Sequence, residues 1–329
     1  MTATVDAPRL GAAPTSARRR TAGVALAVVS GVALAAQSRI NGELAVRLHD
    51  AIAAATVSFG SGLLILALVV GALPGGRRGL RALRAALAAG RIRRWQLLGG
   101  VCGAFLVASQ GLAVATLGVA VFIVALVAGQ SVSGLVVDRL GAAPGGSRPV
   151  TVTRLAGALL TALAVLLAVF DRLAHPGTLI LAVLPLLAGL GIAWQQAVNG
   201  HVRAASDSAL VAGLVNFSTG TTVLLLACAV SWTVRGVPGA PPAGDWWLYS
   251  GGALGIVFIA LGAAVVRHTG VLLLGLGMIA GQVTGALAID LVAPPPTGGP
   301  GWNTAAGAAL TLLAVAVAAR PARGPRRNS

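Results

Sequence analysis

The sequence predicts an all-α integral membrane protein whose ten transmembrane helices form two inverted five-helix repeats. Composition, an internal repeat and an uneven spread of arginine carry this reading. Of the 329 residues, 57% are hydrophobic and only 10% are charged, against about 25% charged in soluble domains. The apolar residues fall in blocks of roughly 17–25, the length that crosses a hydrocarbon core of about 30 Å as a helix. Barrel strands would be about 10 residues long and would alternate apolar with polar, and these blocks do not.

Taken in order, residues 1–20 are Ala, Pro, Thr and Arg without periodicity and read as a disordered cytoplasmic tail ending in Arg18–Arg20. Spans are expected near 22–40, 51–73, 95–115, 118–138, 153–170, 178–198, 209–232, 246–266, 269–292 and 302–319. This gives a first five-span unit over 21–170, a second over 171–319 and a basic cytoplasmic tail over 320–329. The charged start followed by "ALA" at 33–35 also fits a cleavable signal peptide. The first span is nevertheless expected to be retained, because residues 31–42 have a counterpart deep inside the chain.

That counterpart is direct. "GVALAAQSRING" (31–42) lies over "GLGIAWQQAVNG" (189–200), matching Gly31, Ala35, Gln37, Asn41 and Gly42 with Gly189, Ala193, Gln195, Asn199 and Gly200 at an offset of 158. The same offset pairs Phe59 with Phe217 and Gly62 with Gly220. Further on, "LGVAVFIVALVAGQSVSGLVVD" (117–138) lies over "TGVLLLGLGMIAGQVTGALAID" (269–290) at an offset of 152, pairing Gly118 with Gly270, Gly129–Gln130 with Gly281–Gln282 and Asp138 with Asp290. The chain reads as two copies of one unit.

Five spans is an odd number, so the second copy must enter the membrane from the other side. Arginine supplies every positive side chain. With a cytoplasmic N-terminus, 20 arginines fall on inner segments and four (Arg39, Arg47, Arg172 and Arg235) on outer ones, a positive-inside signal that places both termini in the cytoplasm. It also explains the formal charge of +16 without nucleic acid. The segment "RRGLRALRAALAAGRIRRW" (77–95) sets Leu80, Leu83 and Leu87 on one face with arginines around the rest, and is expected to rest on anionic inner-leaflet lipid over 77–94.

The informative polar residues are amides. Gln37 and Asn41, like Gln195 and Asn199, are four apart and project from one helical face. An unpaired amide in hydrocarbon costs several kcal/mol, so these faces point into protein or water. For Gln37 and Gln195, interhelical hydrogen bonding and solute coordination both remain open. Asn41 and Asn199, each followed by Gly, read first as helix C-caps. Trp194 could stack on a solute or sit in the interfacial aromatic belt. Gln110, Gln130 and Gln282 read first as glue between helices, then as pathway lining, and Asn216, among the small polar residues of the second span in its half, is the least easily explained as packing and is a candidate solute contact. Gly31, Gly189, Gly129 and Gly281 are expected to allow close helix contacts.

Carboxylates matter by position. Glu43 and Asp138 are the candidates for proton coupling, each also readable as a solvated helix-end charge. His49, His175, His201 and His268 are expected in loops. Cys102 and Cys228 read as small buried residues. No metal cluster, nucleotide loop or catalytic constellation is evident, so no cofactor and no enzymatic activity is expected.

"QSRING" and "QQAVNG" in the first span of each half, "SFGSG" and "NFSTG" in the second, and a GQ…D pattern in the fourth give the chain its likeness. It resembles the YdcZ-like branch of the drug/metabolite transporter superfamily over roughly 21–319. The resemblance implies an inner-membrane transporter with a central cavity that opens alternately to either side. On that reading the protein is a secondary transporter, an exporter of a small polar or amphiphilic metabolite or drug. Gln37, Gln195 and Trp194 contact solute, and Asn41, Asn199, Gln130 and Gln282 brace the halves. A homodimer is compatible with this plan. The alternative is a non-transporting scaffold or partner subunit in which the amides serve only as glue.

Overall fold

The computed structural model describes residues 15–144, 146–147, 149–170, 176–236, 244–296 and 298–319, with backbone alone at 15–20, 176–178, 235 and 262–274. Among the described residues the regular elements are helices: α1 (Thr15–Leu48), α2 (Ala51–Ala72), α3 (Pro74–Ala88), α4 (Gly99–Leu117), α5 (Val119–Arg139), α6 (Val152–Ala168), α7 (Pro176–Ser206), α8 (Ala209–Arg235), α9 (Gly251–Val292) and α10 (Trp302–Ala318). Short 3-10 turns lie at Arg94–Leu97 and Trp246–Ser250. Seven helical stretches are long and apolar enough to cross a membrane, and three shorter apolar ones lie at Val152–Ala168, Trp246–Leu261 and Trp302–Ala318. The N-terminal tail expected over 1–20 lies outside the described residues as far as residue 14, and residues 15–20 form the start of α1. The tail expected over 320–329 also lies outside them.

Two boundaries differ from expectation. Asn41–Gly42 and Asn199–Gly200 are not C-caps, because α1 and α7 run on to Leu48 and Ser206. The turns come several residues later and are built identically. His49 (φ 51°) and Asp207 (φ 49°) take left-handed backbone. Asp50 then accepts from Ile52 N and Ala53 N, and Ser208 from Val211 N. A capping side chain that satisfies the first free N–H groups fixes each helix start more firmly than an interior glycine ends the previous helix. His201, expected in a loop, therefore lies within α7, its Nε2 2.9 Å from Ala142 O.

α9 does not run straight: Phe258 O accepts from Ser30 Oγ while Met278 O lies against the neighbouring Gly31, so the helix doubles back between them into two arms, which lie where spans 246–266 and 269–292 were expected. In the first half the equivalent joint is open: Gly118 has φ 81°, and the buried carboxylate of Asp290 accepts from Val119 N (2.9 Å) and Ala120 N (2.7 Å) at the start of α5. Asp138, the repeat equivalent of Asp290, is instead engaged by Arg154. A helix breaks at low cost where a side chain takes up the freed N–H groups.

The centre of the molecule is α5, buried continuously from Val119 to Gly129. Phe122 and Ile123 have no exposed surface, and the cluster around them draws on α1, α4, α6, α7, α9 and α10. Such all-round burial explains why α5 has no polar face. α1 packs most extensively on α9, and α5 on α7. Gly31 presses on Met278 O and Gln282 N, and Gly281 on Val28 O. In the same way Gly189 presses on Leu126 O and Gln130 N, and Gly129 on Leu186 O. Gly31 pairs with Gly189 in the repeat, and Gly281 with Gly129, so one crossing is the other with the halves exchanged. Amphipathic α3 buries Gly76, Gly79, Leu83 and Ala86 against Val70, Val202, Val211 and Ala212, and leaves Arg77, Arg78, Arg81 and Arg84 exposed.

Three stability outcomes are expected. Gly189→Leu forces the α5 and α7 backbones apart and lowers unfolding free energy by about 1–3 kcal/mol. Gly71→Leu, at an exposed position with open space around it, leaves it within about 0.5 kcal/mol. Asp290→Ala strips the cap from α5 and costs about 1–2 kcal/mol. Thermal unfolding of the purified protein in one detergent measures all three.

Candidate functional site

The site is a seam where the first two helices of one half meet the third span of the other. On α1, the helical repeat places Gln37, Ser38 and Asn41 along a buried edge. Gln37 Nε2 donates to Gly251 O at the start of α9 (3.0 Å). Asn41 Nδ2 donates to Gln110 Oε1 on α4 (2.6 Å), Gln110 Nε2 to Ser38 Oγ (2.9 Å), and Ser38 Oγ to Leu34 O (2.9 Å). On α7, Asn199 Nδ2 donates to Asn216 Oδ1 on α8 (3.0 Å). The chain α1–α4–α1 is a buried amide network, which rigidifies a bundle when satisfied and is costly where it is not.

The network is not fully satisfied. Gln195 Oε1, Asn41 Oδ1, Ser58 Oγ, Thr221 Oγ1 and Gln282 Oε1 are buried without a hydrogen-bond partner among the described residues. Buried polar atoms are rarely left so, and each asks for a partner. Asn41 Oδ1 and Ser58 Oγ converge beside Gly251.

Between the two glutamines lies an aromatic pair. Phe59 on α2 and Phe217 on α8 have ring centroids 4.9 Å apart, tilted by 39°, and both are buried. The Phe59 ring fills the notch left by Gly220, and the Phe217 ring the notch left by Gly62. A Cβ on Gly103 would lie 3.0 Å from Gln195 Oε1 and 3.1 Å from Phe59 Cζ. A Cβ on Gly255 would lie 2.7 Å from Gln37 Nε2 and 3.4 Å from Phe217 Cζ. The line Gln37, Phe217, Phe59, Gln195 is thus built twice from equivalent parts.

Other expected residues lie elsewhere. Trp194 is 38% exposed and stacks on Trp95, 5.6 Å between centroids, outside the seam. Gln130 and Gln282 sit at the glycine crossings, and Gln282 is buried. From Gln37, that crossing is about 9 Å along α1. Glu43 is paired with Arg47 (3.2 Å) and Arg39 (3.9 Å), and Arg47 reaches Asp245 (3.1 Å). Asp138 is paired with Arg154. Both proton-coupling candidates are therefore in ion pairs. No group of His, Cys, Asp or Glu that could hold a metal is found among the described residues.

Sequence reading missed Phe59 and Phe217 as a contact, Gln110 as the hub of the network and Asp290 as a cap. One signal was available: "GGVCG" (99–103) and "GGALG" (251–255) share their glycines at the offset of 152, and these glycines admit the glutamines and phenylalanines.

Known proteins place the fold. A family profile described as "Putative inner membrane exporter, YdcZ" matches residues 22–167 and again residues 180–317. A solved structure described as "Crystal structure of protein" shares 19% identity at a TM-score of 0.52, over 92% of this chain and 96% of that one, a likeness of fold. No curated protein sequence matches. With one family profile covering two successive stretches that make up most of its length, this chain belongs to the YdcZ-like branch of the drug/metabolite transporter superfamily, a family of the inner membrane.

Proposed function

We propose that this protein is a secondary transporter that moves a small polar or amphiphilic solute out of the cell by alternating access, with its halves inserted in opposite senses and both termini cytoplasmic. The observation that carries the reading is the exchange of equivalent contacts between halves. Gly31 with Gly281 and Gly189 with Gly129 form one kind of joint, and Phe59 with Gly220 and Phe217 with Gly62 another. A bundle whose halves contact each other through equivalent surfaces has two ways to rock, related by the pseudo-two-fold axis that exchanges the halves, the basis of alternating access in repeat transporters.

Gln37 and Gln195, on either side of the aromatic pair, meet the solute. Asn41 with Gln110, Asn199 with Asn216, and the crossing residues Gln130 and Gln282 brace the framework, while Trp194 with Trp95 forms an interfacial anchor. α9 has 42 residues, enough helix to cross a bilayer core twice, and its contacts with adjacent residues of α1, Phe258 with Ser30 and Met278 with Gly31, support a reversal between them. Arg267 and His268 sit near its middle, and we place a fold-back there that yields ten crossings. On the cytoplasmic side, α3 lays Arg77, Arg78, Arg81 and Arg84 on anionic lipid, and Arg91, Arg93 and Arg94 extend the same exposed surface.

Single-cysteine labelling in intact cells tests the topology, starting from a variant with Cys102 and Cys228 replaced by Ala. Positions 91, 268 and 324 are expected to stay unlabelled by an impermeant reagent until the membrane is opened, and position 299 to label at once. Labelling of 268 from outside contradicts the inversion. For function, Gln37→Leu with Gln195→Leu is expected to cut solute efflux by at least about tenfold, the equivalent of one lost hydrogen bond, while the protein stays folded and monodisperse. Comparing metabolites retained by cells with and without the protein supplies the readout, and unchanged profiles favour a scaffold.

A further inference from the structure

The hydrogen-bonding state of the seam is lopsided. The amide nitrogens of Gln37, Asn41, Gln110 and Asn199 each donate to a protein acceptor. The unpartnered buried amide atoms at the seam are oxygens, Gln195 Oε1 and Asn41 Oδ1, with the Ser58 hydroxyl beside the latter. Gln195 Oε1 and Asn41 Oδ1 are therefore spare acceptors at the seam. A solute entering here is rewarded for bringing N–H or O–H groups. One that brings only acceptors leaves those two buried oxygens unpaired.

Charge points the same way. The residues that form the seam, Gln37, Asn41, Ser58, Gln110, Gln195 and Asn216, include no cation, and Arg39, the arginine nearest to them along α1, faces Glu43. A carboxylate or phosphate would be buried without a counter-charge, which is expensive. An ammonium would meet carbonyl dipoles and the faces of Phe59 and Phe217, which attract cations. Those two rings, in contact with centroids 4.9 Å apart, give the seam its apolar surface.

We infer that the seam selects solutes that pair hydrogen-bond donors with an aromatic or similarly flat apolar body, aromatic amines above aromatic alcohols, and that it rejects the matching carboxylates. This rests on the reading that the line between Gln37 and Gln195 is the solute path, and it names the class that path accepts.

The test uses the full-length protein in lipid nanodiscs and three probes of one shape: phenethylammonium, 2-phenylethanol and 3-phenylpropionate. Titration calorimetry at pH 7 is expected to give the order amine, alcohol, carboxylate, with the amine bound at least about tenfold more tightly than the carboxylate. Gln195→Leu removes most of that preference. Gln195→Glu, nearly the same shape, replaces a neutral acceptor by an anionic one and raises amine affinity about tenfold or more. Its thermal midpoint and elution profile report whether it is folded.

Equal or tighter binding of the carboxylate, absence of amine binding, or amine affinity indifferent to both Gln195 variants overturns the inference. Flux in reconstituted vesicles separates the two readings. Amine-selective binding without protein-dependent flux leaves the solute class standing and removes the transporter. Protein-dependent flux that prefers the carboxylate keeps the transporter and removes the class.

Discussion

Close approach of backbone to backbone at two glycine crossings is the constraint on which the rest of this protein depends. Inside lipid no hydrophobic force drives one apolar helix against another, so association rests on packing and on polar contacts. Gly31 and Gly281 let α1 and α9 touch through their main chains, and Gly129 and Gly189 do the same for α5 and α7. Once those four positions are set, the register of α1 fixes where Gln37 and Asn41 lie, and the register of α7 fixes Gln195 and Asn199. Amide contacts at the seam follow from the glycine contacts below them.

The sequence made the membrane class, the duplication and the amide pairs legible because each is a pattern along the chain. Matched glycines at 31, 129, 189 and 281 likewise gave the close contacts. Helix ends were harder. Asn41–Gly42 looks like a stop signal, yet the stop is supplied by His49 and Asp50 and, in the other half, by Asp207 and Ser208. Interior glycine in a membrane helix serves a neighbour more often than it ends the helix, and local propensity does not distinguish the two. The Phe59–Phe217 contact was out of reach because it joins residues 158 apart, although their repeat match placed them at equivalent positions.

Asp138 and Asp290 show how duplicated sequence acquires unequal roles. Both close the same motif, but Asp290 is buried across the start of α5, whereas Asp138 holds Arg154. The first half accordingly has a joint at Gly118 that Asp290 holds. A repeat preserves the places where side chains stand, while the partner each finds depends on its neighbours: the first turn of α5 for one, the first turn of α6 for the other.

The aromatic pair has a mechanical consequence. Each ring occupies a hollow on the opposite half, Phe59 at Gly220 and Phe217 at Gly62, while resting on the other ring. Neither can withdraw by a partial shift without exposing the hollow it filled and robbing its companion of support. The two contacts therefore stand or fall together: any parting of α2 from α8 empties both hollows at once.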